Sequence, residues 1–222
     1  WERSVVKALF ASEAEATEAA TLLLAQDWAQ EVHVQTIQAV QEQDWVRLTQ
    51  SQFAPVDITP DFWIVPTWHE PPAQARQIIR LDPGLAFGTG DHPTTRLCAI
   101  RLLDFLATHP AGEVAVTDAG CGSGILALSA ARLGCGRVAG FDRDPESVRV
   151  SLANRAENGL PDGAAAFHHA GLEEGFKLTG PADVVLANII SDVLCIYADN
   201  LLDAVAPGGV LALSGILAKE QA

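Results

Sequence analysis

From residue 78 to the end of the chain, short apolar runs alternate with stretches whose apolar positions recur every three or four residues. The runs at 114–118, 137–142, 164–168, 183–188 and 209–214 are short and rich in Val, Ala, Leu and Phe, which predicts strands. Residues 123–133, 145–158 and 192–205 carry the helical period and predict helices between them. A further helix is predicted over 93–107, with Pro93 at an early position where its missing N–H costs nothing. Strand–helix alternation with wholly apolar strands predicts a doubly wound, mostly parallel sheet covered on both faces. The fold class of this region, 78–222, is therefore α/β.

The beginning of the chain reads differently. Ser12 and Glu15 have the spacing of a capping box, and the Ala- and Leu-rich run that follows predicts a helix to about Trp28. Residues 31–40, rich in Val, Ile and Thr, predict a strand, and 44–48 continue that small sheet. Residues 1–54 thus read as a compact α+β module. Pro55, Pro60, Pro66, Pro71 and Pro72 mark 55–77 as a semi-rigid connector, interrupted by one short strand at 62–65. The lone His69-Glu70 pair inside it fits an ordered loop better than a metal site.

Composition narrows the function classes. Apolar residues make up 49% of the 222, which excludes wholesale disorder. No window reaches the ~18 uninterrupted apolar residues of a membrane span, and no signal-peptide pattern opens the chain. The net charge of −14, from 28 acidic and 14 basic side chains, argues against nucleic acid as a direct partner. That balance suits small-molecule chemistry or a basic protein partner. Cys98, Cys121, Cys135 and Cys195 show no metal-ligand spacing, which points to reduced thiols in a cytoplasmic protein and to no metal site. There is no methionine and the chain opens on Trp1, so the native N-terminus is expected to lie further upstream.

The strongest chemical signal is Asp118-Ala119-Gly120-Cys121-Gly122-Ser123-Gly124, set between a predicted strand and a predicted helix. A dinucleotide fingerprint would place a third glycine where Ile125 stands. The D-x-G-x-G-x-G pattern instead resembles the first motif of S-adenosylmethionine-dependent methyltransferases. Asp142 ends the next strand, where a carboxylate can accept hydrogen bonds from both hydroxyls of a ribose. Asp144-Pro145 already supplies a cap and first-turn proline for the following helix, so capping does not account for Asp142. Asn188 closes the strand at 183–188; its carbonyl can orient an amine and its NH2 can hold a carboxylate, although Asn also forms turns. Thr94 and Thr95 open the helix at 93–107, where free backbone N–H groups favour a carboxylate. The glycine-rich stretch before them holds Phe87, an aromatic ring suited to closing over a cofactor. His92 reads equally as a base or as a structural hydrogen-bonding group.

The stretches L-D-P-G-L-A-F-G-T-G-D-H-P-T-T from Leu81, D-A-G-C-G-S-G-I-L-A-L from Asp118, F-D-R-D-P from Phe141, A-N-I-I from Ala187 and L-S-G-I-L from Leu213 resemble the bacterial ribosomal protein L-eleven methyltransferases. The likeness runs along the whole chain and includes Gln43 to Arg47 and Trp63 to Pro66. It implies a Rossmann-like class I methyltransferase domain, preceded by a small α+β, ferredoxin-like substrate-recognition domain and a linker. It further implies S-adenosylmethionine contacts at Thr95, Gly120, Asp142 and Asn188, with Gly122 and Phe87 beside them. The implied activity is methylation of lysine side chains and an N-terminal α-amine on a basic ribosomal protein, with Asn188 as the catalytic candidate. Relatives extend beyond both ends, so the chain is expected to lack a first strand and the last strands of the sheet. Three rival readings stand beside this one: a methyltransferase with another protein target, a nicotinamide-dependent oxidoreductase and a non-catalytic binding module.

Overall fold

The computed structural model describes residues 5–38, 54–81 and 93–216. Two compact units emerge, Trp1–Thr49 and Gln50–Ala222. In the first, helix α1 spans Glu13–Leu24 and a 3-10 turn follows at Asp27–Ala29. The capping box forms at its start: Glu15 donates its N–H to Ser12 Oγ at 3.2 Å, and the Glu15 carboxylate accepts the Ala11 N–H at 3.2 Å. The strand expected at 31–40 is not formed over 31–38, the part of it that is described. A strand exists only through a paired neighbour, and the neighbour expected at 44–48 lies outside the described residues.

In the second unit, the proline-rich stretch holds β1 (Val56–Thr59) as well as the strand expected at 62–65, which is β2 (Phe62–Pro66), and β3 (Gln77–Leu81) begins at its last residue. β1 runs antiparallel to β2, and β2 runs parallel to β3. The prolines do not break this sheet because Pro60 lies in the β1–β2 turn and Pro66 ends β2, places where a missing N–H is tolerated. Its apolar side chains carry the structure inward: Ile58, Phe62, Ile64, Ile79 and Leu81 are all buried.

The remaining elements wind in sequence as α2 (Pro93–Leu106), β4 (Ala115–Ala119), α3 (Ile125–Arg132), β5 (Arg137–Asp142), α4 (Pro145–Glu157) and β6 (Ala166–His169). They continue with α5 (Leu172–Thr179), β7 (Ala182–Asn188), α6 (Ser191–Ile196), α7 (Ala198–Asp203) and β8 (Val205–Ser214). The five strands pair in parallel in the order β6-β5-β4-β7-β8. The parallel sheet and its flanking helices follow the sequence pattern closely. In β7 the period of two is visible on both faces. Val184 and Leu186 join the core shared with the three-stranded sheet, α2 and α3, whereas Val185 and Ala187 face the second core with Phe141, Leu194 and Leu201. This explains why the strand reads as one unbroken apolar run.

The order reverses at β4: β5 and β6 extend to one side of it, β7 and β8 to the other. Ligands of open parallel sheets bind outside the carboxyl ends of the strands at such a reversal. Helix α5 was not foreseen, because Gly171, Gly175 and Gly180 disguise an eight-residue helix as a loop. Gly175 is required by packing. A Cβ there would lie 2.4 Å from the ring of Phe141, which is buried and packed edge-on against Phe176 with centroids 5.1 Å apart. Gly175→Ala is expected to lower the urea midpoint, since overpacking of about 1–3 kcal/mol outweighs the gain in helix propensity.

Candidate active site

Two groups of side chains meet at the sheet's reversal point. The first is the turn from β4 into α3. Gly120, Gly122 and Gly124 all have positive φ, at 70°, 52° and 79°. At Gly120 and Gly124 no other residue would fit. A Cβ at 120 would sit 2.6 Å from Ile189 Cγ2, and one at 124 would sit 2.8 Å from Ser151 Oγ. The turn is tied to β5, because the Gly120 and Cys121 N–H groups both donate to the Phe141 carbonyl at 2.9 and 3.0 Å.

The Asp142 carboxylate accepts the Gly122 N–H at 2.9 Å on one oxygen and the Asp144 N–H at 2.9 Å on the other. Each oxygen of a carboxylate has a further lone pair, so this orientation leaves acceptors for a vicinal diol. Asp144 in turn caps α4 through the Glu146 N–H at 3.0 Å. The helix cap is thus Asp144, and Asp142 serves the glycine turn.

The second group joins residues far apart in sequence. Asn188, at the end of β7, donates from Nδ2 to the Thr95 hydroxyl on α2 at 3.3 Å. Asn188 is half-buried and Thr95 buried. The register of the sheet pairs Asn188 with Ser214 of β8. The two groups touch through Ile189, whose side chain lies over Gly120 and whose carbonyl fills the space a Cβ at Gly215 would need, 2.5 Å away. Of the candidate residues named from sequence, Gly120, Gly122 and Asp142 therefore form one half of the site, and Thr95 and Asn188 the other. Phe87 and His92 lie outside the described residues.

Sequence reasoning gave no role to Asp118, which is buried at the end of β4. Its Oδ2 accepts the N–H of Ala127 in the first turn of α3 at 3.0 Å, satisfying one of that helix's free donors from outside. Burial pushes its carboxyl up to about 7; the Ala127 N–H opposes the shift and the Asp142 charge adds to it. Burial also raises the Cys121 thiol and pushes Cys98 up to about 11, with the Asp118 charge acting in the same direction on both. All four cysteines are free thiols.

Helix α4 supplies further contacts to the turn that no sequence motif announced. Ser151 Oγ donates to the Gly122 carbonyl at 2.9 Å, and Asn154 Nδ2 donates to the Ser123 carbonyl at 3.0 Å. The available signal was a run of small polar residues at helical spacing on a helix with no apolar stripe. No group of three or more His, Cys, Asp or Glu side chains that could hold a metal occurs among the described residues.

A parallel sheet with this strand order, a left-handed glycine turn after its central strand and an acid aimed at that turn from the next strand defines an S-adenosylmethionine-dependent methyltransferase. The residues fit that cofactor: a backbone cradle closed to side chains, a carboxylate for the ribose diol, and an amide–hydroxyl pair at the opposite wall. The chain belongs to the ribosomal protein L11 methyltransferase family, whose model matches residues 1–222. It is 51% identical to the ribosomal protein L11 methyltransferase of Polaromonas sp. strain JS666, over 99% of this chain and 71% of that protein. The enzyme of the same name from Thiobacillus denitrificans is 47% identical, again over 99% of this chain and 71% of its own length. Among solved structures, the ribosomal protein L11 methylase of Lactobacillus delbrueckii subsp. bulgaricus superposes with a TM-score of 0.63 at 33% identity, over 74% of this chain and 81% of that one.

The buried acid makes stability depend on pH. Because Asp118 holds its proton in the fold to about pH 7 but releases it near 4 when unfolded, the stabilisation is complete below pH 4 and is lost as pH rises to 7. Asp118→Asn keeps an acceptor for the Ala127 N–H and removes the titration. Urea unfolding of both proteins across pH 4–8 should show wild type losing stability relative to the variant between pH 4 and 7, and running parallel to it above pH 7.

Proposed function

We propose that this protein transfers methyl groups from S-adenosylmethionine to lysine side-chain and N-terminal α-amino groups of ribosomal protein L11, in the cytoplasm. The observation that carries the reading is the Asn188–Thr95 hydrogen bond, held against the glycine turn through Ile189. With the amide NH2 of Asn188 directed to Thr95, its carbonyl oxygen remains as an acceptor for an N–H of an incoming amine. That contact turns the nitrogen lone pair toward the cofactor side of the crevice, and positioning of this kind can provide much of the rate gain. When bound, S-adenosylmethionine supplies an electrophilic methyl group on a sulfonium. A lysine amine, with an ordinary pKa of about 10.4, must shed a proton before it attacks. Removal from water in the crevice lowers that value. Gly120, Gly122 and Asp142 hold the nucleoside end, and Phe87 is assigned to the same cofactor by family likeness.

The N-terminal unit is proposed to be the α+β, ferredoxin-like domain that recognises the substrate. Its helix α1 carries Glu13, Glu15 and Glu18 on an exposed surface, which favours a basic protein over a nucleic acid. No helix among the described residues is long and apolar enough to cross a membrane.

Two measurements test the reading. Labelled S-adenosylmethionine incubated with purified ribosomal proteins should label L11 on amine nitrogens by mass mapping; label on another protein or on carboxamide nitrogen overturns the assignment. Asn188→Ala should cut turnover roughly a hundredfold while S-adenosylhomocysteine affinity changes far less. Unchanged turnover would remove Asn188 from the reaction.

A further inference from the structure

Helix α4 is built against the usual rule for a helix packed on a sheet. Its buried positions include Ser147, Ser151 and Asn154, and Asn158 directly after it is buried as well. The spacing 147, 151, 154, 158 is that of one helical face. This is a polar stripe, and its last three members make contacts beyond their own helix. Ser151 donates to the Gly122 carbonyl and Asn154 to the Ser123 carbonyl, both within the glycine turn. Asn158 faces the other way, toward β3. Its Oδ1 accepts the Arg80 N–H at 2.7 Å, and its Nδ2 donates to the Arg80 carbonyl at 2.6 Å and to the Asn154 carbonyl at 2.7 Å.

The pairing with Arg80 is that of a strand. β3 is bonded to β2 on one side only, and the Asn158 carboxamide occupies its other edge as a one-residue partner. The Asn158 carbonyl is itself held by the Arg132 guanidinium from the end of α3 at 2.7 Å. The Arg80 side chain donates to the carbonyls of Pro66 and His69, which fixes the chain that leaves β2.

Following these bonds in order gives one continuous polar path: β3 backbone, Asn158, Asn154, glycine turn. Its effect on the turn is directional. The carbonyls of Gly122 and Ser123 are drawn to α4, while the N–H of Gly122 points the opposite way, to Asp142. Hydrophobic contacts could fill the same volume but could not set the direction of a peptide plane.

We propose that Asn154 and Asn158 are positioning residues for the cofactor, acting by fixing the peptide orientation of the glycine turn against β3. This rests on the reading that the turn binds S-adenosylmethionine. Leu at either position approximates the shape but withdraws the amide N–H groups that orient these carbonyls, so the turn's peptides lose that restraint.

The test is calorimetric titration of the full-length protein with S-adenosylhomocysteine, alongside thermal unfolding without ligand and steady-state kinetics. Asn154→Leu and Asn158→Leu should each weaken binding roughly tenfold, raise KM for S-adenosylmethionine in proportion, and leave kcat at saturation nearly unchanged. Leu201→Ala, a cavity in the core on the opposite face of the sheet, provides a variant of lowered stability that should bind as wild type does. Should a Leu variant fail to fold, Ser151→Ala carries the test, with an expected loss of about threefold. Leu variants that bind as tightly as wild type, or a Leu201→Ala variant that loses as much affinity as they do for the same loss of stability, overturn the proposal and leave the cofactor reading standing. Failure of the wild-type protein itself to bind would overturn both.

Discussion

The site depends on how closely the chain after β7 approaches the turn after β4. Ile189 rests on Gly120 on one side and presses its carbonyl toward Gly215 on the other, so three segments converge at one side chain. Any Cβ at Gly120 would push Ile189 away, and with it Asn188, which must reach Thr95 across the top of the sheet. Close packing transmits such a displacement because interiors have no slack to absorb it. Glycine at 120 and 124 is thus a requirement of neighbours as much as of backbone angle.

Below this contact the site carries charge in a guarded form. Asp142 spends both its oxygens on backbone N–H groups, which fixes the carboxylate without a cation. Asp118, deeper and beside it, has its carboxyl pushed up to about 7 by burial. Two carboxyls so placed divide the roles: one holds the glycine turn and the other clamps the start of α3. Two buried thiols beside the inner acid, at Cys98 and Cys121, are kept neutral by the same surroundings.

Much of this was legible in the sequence, and the rest was hidden for identifiable reasons. The parallel sheet was legible because strands covered on both faces are continuous apolar runs. Gly120, Gly122 and Asp142 were legible because a turn, its glycines and the next strand's acid have fixed spacing. Thr95 and Asn188 were each found, but not their bond, since no local pattern links residues 93 apart. Of the three-stranded sheet at 56–81 only β2 was legible, because the prolines around it mark turns and strand ends as readily as connectors. Helix α5 was hidden by its glycines, of which Gly175 is kept for Phe141, and the stripe on α4 because polarity at helical spacing ordinarily signals solvent. The strand expected at 31–40 is not formed over 31–38, where a β-prone composition has no partner among the described residues.

The strand order also sets a timetable for synthesis. β4, β5 and β6 leave the ribosome consecutively and can pair as they appear, each against the strand made before it. β7 must then return past all of them to the other side of β4, and only with it come Asn188 and Ile189. Non-local pairings of this kind are slow to form, because the chain between them must be ordered first. Until residue 189 has emerged and β7 has docked, the glycine turn lacks the side chain that leans on it and Thr95 lacks its amide. The nascent domain can therefore pair three of its five strands before it acquires a complete crevice, and cofactor capture waits on the docking of β7.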